Sequence, residues 1–401
     1  MKSLKVLYAP IHYFYGRNFS SELICAYEIF TRVSRSLPGS VAISLTKLDE
    51  EPDSTRLVYK YSVSKPFFPN IWNNLQLIYF YSRQASRLLK SGRFSVIHHL
   101  FPFRIGRTFN PLFIGLGHRT RKVLGPVMLS VDFDNQDLQR NGFFDTHIRL
   151  FDRLVLLLDP VYSLLCRATL NRADAVVALN RRAKQELIAY GVPARKITII
   201  PIGIDSGRFP FIPFSAKSRT SFRLLTVGYL TKRKGTELVI RALAVVAASH
   251  PRVHLTIIGD GPQRSELEKL VRDLHLAGHV TFAGFVDYRH LSQAYQKSHL
   301  LVSMSRAESW GQVYIDSLAC GLPVISSRND GANEIIASGR FGYLVTQEDY
   351  RDCARRINFL ISHSRILAEF GLRARHEVEI KYDWDKVVIP RYLKLYRDKN
   401  G

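Results

Sequence analysis

Strand-like apolar runs alternate with helix-like stretches twice along this chain, and that doubled alternation restricts the fold more than any other feature. In the first series, runs at 4–9, 41–46, 95–100, 122–131, 173–179 and 197–201 alternate with helix-like stretches near 21–36, 72–90, 150–170 and 181–190. A second series starts at Arg223-Leu224-Leu225-Thr226-Val227-Gly228 and continues through 253–258, 279–285, 299–304, 323–327 and 341–345, each followed by a helical segment. Strand–helix alternation of this kind predicts doubly wound α/β sheets. A chain of 401 residues exceeds what one core usually supports, so two domains of roughly 200 residues each follow. Between the two series, Pro201 to Asp205, Pro210 and Pro213 to Arg219 form a stretch rich in Pro, Ser and Gly, which reads as a linker. The expectation is therefore an α/β protein of two Rossmann-like domains facing across a cleft. The first covers 1–205, a linker 206–220, the second 221–380, and a C-terminal helix 381–401. In open α/β sheets, ligands bind at the carboxyl ends of the strands, which here would face the cleft.

Composition narrows the function classes. The formal charge is +23, with an excess of +14 over residues 1–200 and +9 over 201–401. Such an excess calls for an anionic partner: nucleic acid, an acidic membrane surface, or phosphorylated substrates. No helix-turn-helix, zinc-finger or RNP-type signature is present, so no nucleic acid is expected. Residues 71–93 combine aromatics with spaced Arg and Lys, which fits either a membrane-surface helix or a core helix with a basic outer face. Cys25, Cys166, Cys320 and Cys353 are far apart and lack metal-type spacing, so they read as reduced thiols of a cytosolic protein. The N-terminal apolar run is too short for a signal peptide, and no run of eighteen uncharged apolar residues suggests a spanning helix.

The richest motif runs from Ser305 to Val324. Apolar residues at Val313, Ile315, Leu318 and Ala319 predict a helix over 312–320, with Gly321 suited to its C-cap and Pro323 unable to continue it. Glu308 then sits just before the helix N-terminus, where unpaired N–H groups and the positive end of the dipole favour phosphate, and Gly311 permits close backbone approach. Asp316 lies more than a turn deeper; eight residues of helical rise separate the two acids by roughly 12 Å. That spacing suits one carboxylate on a sugar ring and one on a ribose, flanking a diphosphate, because carboxylates bond strongly to paired hydroxyls. Read alone, the pair fits equally well an ordinary capping-region acid and a solvated helix residue.

Other strand ends carry further candidates. Gly228 closes the first strand of the second series and precedes Lys232-Arg233-Lys234-Gly235, cations able to clamp a diphosphate or simply to solvate a loop. Gly259-Asp260-Gly261-Pro262 reads as a turn leading into a helix, and Gly284-Phe285 offers bare backbone to a planar base. In the first half, Gly16 follows the first strand and could approach phosphate. His98 and His99 end another strand, where a structural role competes with one facing the cleft.

Taken together, these residues resemble the GT-B fold glycosyltransferases of the large retaining family 4, the group 1 glycosyl transferases. The resemblance rests on Gly228 with Lys234-Gly235, Ile258 to Pro262, Val280 to Val286, and Ser305 to Val324 with Glu334 beyond. Ala173 to Asn180 and Ile200 to Asp205 match in the first half. It is strong from about 173 to 345 and weaker before. The segment Tyr382-Asp383-Trp384 and its helix resemble the one that crosses back to the first domain in such enzymes.

The resemblance implies a transferase that moves a sugar from a nucleotide-sugar donor to a lipid-linked, polysaccharide or other glycan acceptor with retention. Glu308 would hold donor-sugar hydroxyls, Asp316 the ribose and Lys234 the diphosphate, with Arg233 assisting. Ser309, Trp310, Gly311, Gln312 and Val313 would offer backbone N–H groups, and Gly284 and Phe285 would border the base. Glu308 and Lys234 are the catalytic candidates; no cofactor, metal or protein nucleophile is expected. Lys234 and the helix N-terminus would stabilise charge on the departing diphosphate. The implied location is cytoplasmic, peripheral at the inner membrane face.

Three residues depart from the family pattern. Asp316 stands where Glu is usual, one methylene shorter. Tyr229 replaces a common Arg. The Thr-x-His-Asp segment is missing from Val123–Asp132, leaving His99, Ser130 and Asp132 as acceptor-side candidates. Alternative readings are a basic non-catalytic or nucleic-acid-binding protein, or a nucleotide-sugar hydrolase or epimerase of related fold.

Overall fold

Both sheets keep the strand sequence that the alternation predicts, and every strand pair in them is parallel. The computed structural model describes residues 4–11, 21–44, 58–60, 71–100, 108–115, 120–127, 147–217, 220–336 and 338–398. They divide into two units: the described residues up to 203 together with those from 384 onward, and residues 204–383.

In the first unit β1 (Val6–Ile11), α1 (Ser21–Ser36), β2 (Val41–Ser44), β3 (Val58–Lys60), α2 (Ile71–Lys90) and β4 (Val96–Leu100) are followed by α3 (Pro111–Gly115), β5 (Arg121–Val127), α4 (His147–Arg172), β6 (Ala175–Ala178), α5 (Arg181–Ala189) and β7 (Ile197–Ile199). The seven strands take the order β3-β2-β1-β4-β5-β6-β7. Every residue of β4 and β6 is buried, as expected of parallel strands covered on both faces. The three-residue β3 and five-residue α3 are absent from the sequence reading because neither is long enough to show a period.

The second unit contains β8 (Phe222–Val227), α6 (Thr236–Ser249), β9 (Val253–Ile258), α7 (Arg264–Asp273), β10 (Val280–Gly284), α8 (Tyr288–Lys297), β11 (Leu300–Ser303), α9 (Gln312–Ala319), β12 (Val324–Ser327), α10 (Asp330–Ile335), β13 (Gly342–Val345), α11 (Tyr350–Ser362) and α12 (Ser364–Lys381). Its order, β10-β9-β8-β11-β12-β13, is the Rossmann order 3-2-1-4-5-6. Strand order therefore reverses between β8 and β11. The connections from these two neighbours lead into crossovers in opposite directions along the sheet, and such a switch point, outside the carboxyl ends of the strands, is where ligands bind in such sheets.

Residues 206–217, expected as linker, and 204–205, expected in the first domain, belong to the second unit instead. Phe209 is buried, and Arg375 Nη1 donates to the carbonyls of Phe209 at 2.9 Å and Ala319 at 2.9 Å. The chain returns to the first unit after Asp383. There Trp384 fills the space left by Gly203, whose Cβ would stand 2.5 Å from the indole. The final helix, α13 (Ile389–Arg397), buries Tyr392 and Tyr396. His98 Nε2 faces the Gly125 carbonyl at 2.7 Å and must donate there, so Nδ1 accepts from the Tyr396 hydroxyl at 2.7 Å. Burial pushes His98 down to about 3, and the bond to Gly125 offsets this only in part, so the ring stays neutral. Arg32 on α1 binds both Glu28 and Asp385, adding a charged tie to the returning segment. Among the described residues, no helix is long and apolar enough to cross a membrane.

If Trp384 seats the returning segment, Trp384→Ala should destabilise the first domain by roughly 3–5 kcal/mol, the usual cost of emptying a buried aromatic site. Thermal unfolding followed by circular dichroism would read this, and an unchanged midpoint would refute that role.

Candidate active site

The site is built from two loops, those that leave β8 and β11. After β8, residues Lys232–Lys234 make one 3-10 turn that ends at Gly235 with φ +60. A side chain at Gly235 would place its Cβ 2.1 Å from the carbonyl oxygen of Met304. This position needs glycine both for its left-handed backbone and for the close approach of the two loops. Hydrogen bonds then stitch the loops together: Arg306 N donates to the Arg233 carbonyl at 2.8 Å, and Arg233 Nη1 to the Ala307 carbonyl at 2.6 Å.

Glu308 lies at the centre of this seam. Its Oε1 accepts from Lys234 Nζ and, at 2.9 Å, from Ser305 Oγ, while Arg233 Nη1 stands 3.7 Å from Oε2. The side chain is only 11% exposed. Burial raises the cost of its charge, but the Lys234 and Arg233 charges and the bonds from Lys234 and Ser305 outweigh it and hold the carboxyl below its ordinary range. An ionised carboxylate and two cations therefore share one half-buried pocket. The backbone is fixed from a third side, because Gly331 N, on α10, donates to the Glu308 carbonyl at 2.7 Å.

Helix α9 begins directly after this carboxylate. Its N-cap, Gly311, has φ +82 and provides no side-chain cap, and a Cβ there would fall 2.4 Å from the Tyr314 ring. The first N–H groups of the helix thus lack a side-chain acceptor beside Glu308, a ready anion-binding arrangement. Next to them, Trp310 is 4% exposed with Nε1 buried and unpartnered among the described residues. Gln312 Nε2 donates to Asp316 at 3.0 Å while its Oε1 is likewise buried without a partner. One orphan donor and one orphan acceptor therefore flank the helix start, each costing about 1–3 kcal/mol unless a ligand satisfies it.

Asp316 is 1% exposed, so the structure corrects the reading of a solvated helix acid. Its Oδ1 accepts from Tyr288 Oη at 3.0 Å and Gln312 Nε2 at 3.0 Å. Among the described residues no bond reaches Oδ2. Burial pushes the carboxyl up to about 7, an increase those two bonds only partly oppose.

Of the other expected residues, Gly228 lies against Lys234, with space for a Cβ 3.5 Å from the lysine stem. Val313 sits in the first turn of α9, and Ser309 on the loop before it. Gly284 ends β10 with its carbonyl accepting from Gly259 N at 2.8 Å, and the Phe285 ring beside it is exposed. His99 is corrected: at 1% exposed, with Nδ1 3.2 Å from the Asn110 amide, it is an interior residue of the first domain, not an exposed acceptor contact. Gly16, Ser130 and Asp132 lie outside the described residues. Ser305 and Tyr288 were missed as site residues. Ser305 stood within the motif, but nothing in the sequence links Tyr288, on α8, to Asp316, 28 positions away.

Two family models match the chain back to back: "Glycosyltransferase Family 4" over residues 41–208 and "Glycosyl transferases group 1" over residues 209–377. The chain belongs to the family 4, group 1 glycosyltransferases. It is 27% identical over 239 residues to the GDP-mannose-dependent alpha-(1-6)-phosphatidylinositol monomannoside mannosyltransferase of Mycolicibacterium smegmatis, covering 56% of this chain and 63% of that one. It is 34% identical over 187 residues to spore coat protein SA of Bacillus subtilis, covering 44% of this chain and 48% of that one. The chain thus spans less than two thirds of the length of these curated relatives. Solved structures share the GT-B fold across nearly the whole chain. Sucrose-phosphate synthase from Thermosynechococcus elongatus superposes with a TM-score of 0.72 at 17% identity, covering 98% of each chain. HepE of Anabaena in complex with UDP-glucose superposes at 0.66 and 18%, covering 98% of this chain and 99% of that one.

The raised pKa of Asp316 has a definite sign for stability. The folded state holds a proton on this group between about pH 4 and 7 that the unfolded chain has lost, so this group's contribution to stability falls as pH rises through that window. Asp316→Asn should therefore match the parent near pH 4 and exceed it by roughly 1–4 kcal/mol at pH 8. Thermal unfolding at both values is the check, and a difference independent of pH would exclude a buried, titrating carboxyl.

Proposed function

We propose that the chain transfers a sugar from a nucleotide-sugar donor to a glycan or lipid-linked acceptor, with retention of anomeric configuration. The observation that carries this reading is the seam at Glu308: a half-buried, ionised carboxylate beside Lys234 and Arg233, immediately ahead of the uncapped start of α9. A nucleotide sugar matches this arrangement part by part. Sugar hydroxyls are bonded by Glu308, the diphosphate by Lys234, Arg233 and the α9 N–H groups, and the ribose by Asp316 Oδ2, with Oδ1 held in place by Tyr288 and Gln312. The base lies by Gly284 and Phe285. The orphan Trp310 Nε1 and Gln312 Oε1 supply one further donor and one acceptor for the same ligand.

In the reaction, the bond between the anomeric carbon and the diphosphate breaks and negative charge grows on the departing oxygen. Cations and N–H groups already fixed in place stabilise that charge without reorganising, and this arrangement is the usual source of the largest rate gain. Lys234 is held by Glu308 before the donor arrives, so its ammonium is positioned in advance. No protein nucleophile and no metal is assigned a step. Relatives support the donor class: one is named a GDP-mannose-dependent mannosyltransferase and HepE was solved with UDP-glucose.

An acceptor at an anionic membrane face is part of the same reading. It rests on the +23 charge and on α2, where Arg83, Arg87 and Lys90 accompany the exposed Tyr79. Cytoplasmic, peripheral placement follows from it. Flotation with phosphatidylglycerol vesicles and with neutral vesicles separates the cases, and equal partitioning into both would remove the membrane part.

A thermal-shift screen against UDP-, GDP- and ADP-sugars should find at least one nucleotide that raises the midpoint, since a ligand stabilises the state that binds it. With that donor, Glu308→Ala should lower turnover by about 10- to 150-fold, the equivalent of losing a charge-assisted bond of roughly 1.5–3 kcal/mol. Full turnover in a folded Glu308→Ala protein would sink the assignment. Ribose contact by an ionised Asp316 further predicts that donor affinity rises as pH increases through about 7, and that this rise disappears in Asp316→Asn.

A further inference from the structure

One face of the second sheet does not follow the rule for parallel sheets. Such strands are normally covered by helices on both sides and read as continuous apolar runs. In β9, by contrast, Val253, Leu255 and Ile257 are buried while His254 and Thr256 are half-buried; in β10, Thr281 and Ala283 are exposed. Register aligns the residues of this face: Arg223 beside His254, and the buried Leu225 beside Thr256 beside the exposed Thr281. Helix α8 flanks this face with His290, Gln293 and Lys297, and a cavity of about 790 Å³ lies along it. That volume is in the range of small-ligand sites.

The lining is chemically one-sided. Arg223, Arg252 and Lys297 contribute cations, His254, His279 and His290 contribute imidazoles, and among the described residues no Asp or Glu takes part. Among the described residues, none of the three cations forms an ion pair with a carboxylate. Among the described residues, the one side-chain bond of Arg223 runs from Nε to Ser221 Oγ at 3.3 Å, and its terminal nitrogens have no partner there. A guanidinium in that state recognises phosphate bidentately. Hydroxyl and amide groups of Thr220, Ser221, Thr256 and Gln293 line the same space, and no aromatic ring other than imidazole does, so the cavity suits a hydroxyl-rich ligand better than a stacked base. Its floor is formed by Leu225 and Ile258.

We propose that this cavity is a second binding site, selective for a soluble sugar phosphate and separate from the donor site around Glu308. The proposal does not depend on the glycosyltransferase reading. It uses residues along the length of β8 and β9, not the loops that hold Lys234 and Glu308. The two sites approach each other through Ala283 and Val286, which flank Gly284 and Phe285, and through Ile258, whose carbonyl accepts from Gly228 N at 2.9 Å.

Isothermal titration of the full chain with glucose 6-phosphate, ribose 5-phosphate, inorganic phosphate and glucose tests this directly. At least one phosphorylated sugar should bind saturably and more tightly than inorganic phosphate, and glucose should not bind. Arg223→Gln and the exposed Lys297→Glu should each weaken that binding at least tenfold while leaving affinity for the nucleotide found in the thermal-shift screen unchanged. Lys297→Glu lies on the surface and keeps the test valid if Arg223→Gln fails to fold. The proposal is overturned if no sugar phosphate binds, if both folded variants bind as the parent does, or if that nucleotide displaces the probe, since the cavity would then extend the donor site. It is equally overturned if sugar phosphates fail to bind while the chain binds phosphatidylglycerol vesicles or self-associates through a contact broken by Lys297→Glu.

Discussion

The half-buried Glu308 carboxylate and the cations it holds are the constraint on which the second domain's chemistry depends. A carboxylate this enclosed is tolerated only when paired and hydrogen-bonded, and here Lys234, Arg233 and Ser305 provide both. Because the partners come from the loop after β8 and the acid from the loop after β11, satisfying one charge also fixes both loops. Gly235 makes their approach possible, and Arg306 secures its outer end through Glu237 and Glu348, at 2.7 Å each. The same contacts that make the charge bearable leave the start of α9 uncapped and pointing into the crevice.

The two acids of the motif are neighbours in sequence and opposites in physics. Glu308, among cations, stays ionised; Asp316, one methylene shorter and inside the packed face of α9, has only neutral donors and is pushed up to about 7. Environment, not residue type, makes the difference. The burial of Asp316 also spreads to its neighbours, since its charge adds to the burial that pushes the Cys320 thiol up to about 12.

The first domain uses polar burial for a different purpose. His98, Tyr396 and Tyr8 form a buried chain, with Tyr8 and Tyr396 hydroxyls 3.3 Å apart, that satisfies each group and fastens α13 to the sheet. A neutral histidine there orders structure without supplying a proton, and His99 beside it is equally enclosed. Two adjacent histidines at a strand end are ambiguous in sequence because the strand's alternation gives their facing but not what packs over each face.

Much of the molecule was legible without coordinates. The strand-like runs at 95–100 and 253–258 match β4 and β9 within a residue, because short runs rich in β-branched and other apolar residues mark strands locally. Glu308, Lys234 and Gly235 were legible as well, because a helix start after a carboxylate, and a glycine after three cations, are local patterns. Tertiary structure alone decided the partners. It brought Arg233 and Lys234 to an acid 75 and 74 positions away, gave Asp316 a tyrosine from another helix, and drew residues 206–217 out of the expected linker into a packed domain. It also left one face of β9 and β10 open and basic. A sequence fixes which groups are available and their local geometry, whereas burial, pairing and proton affinity arise from contacts between distant segments, which exist only once the chain has folded.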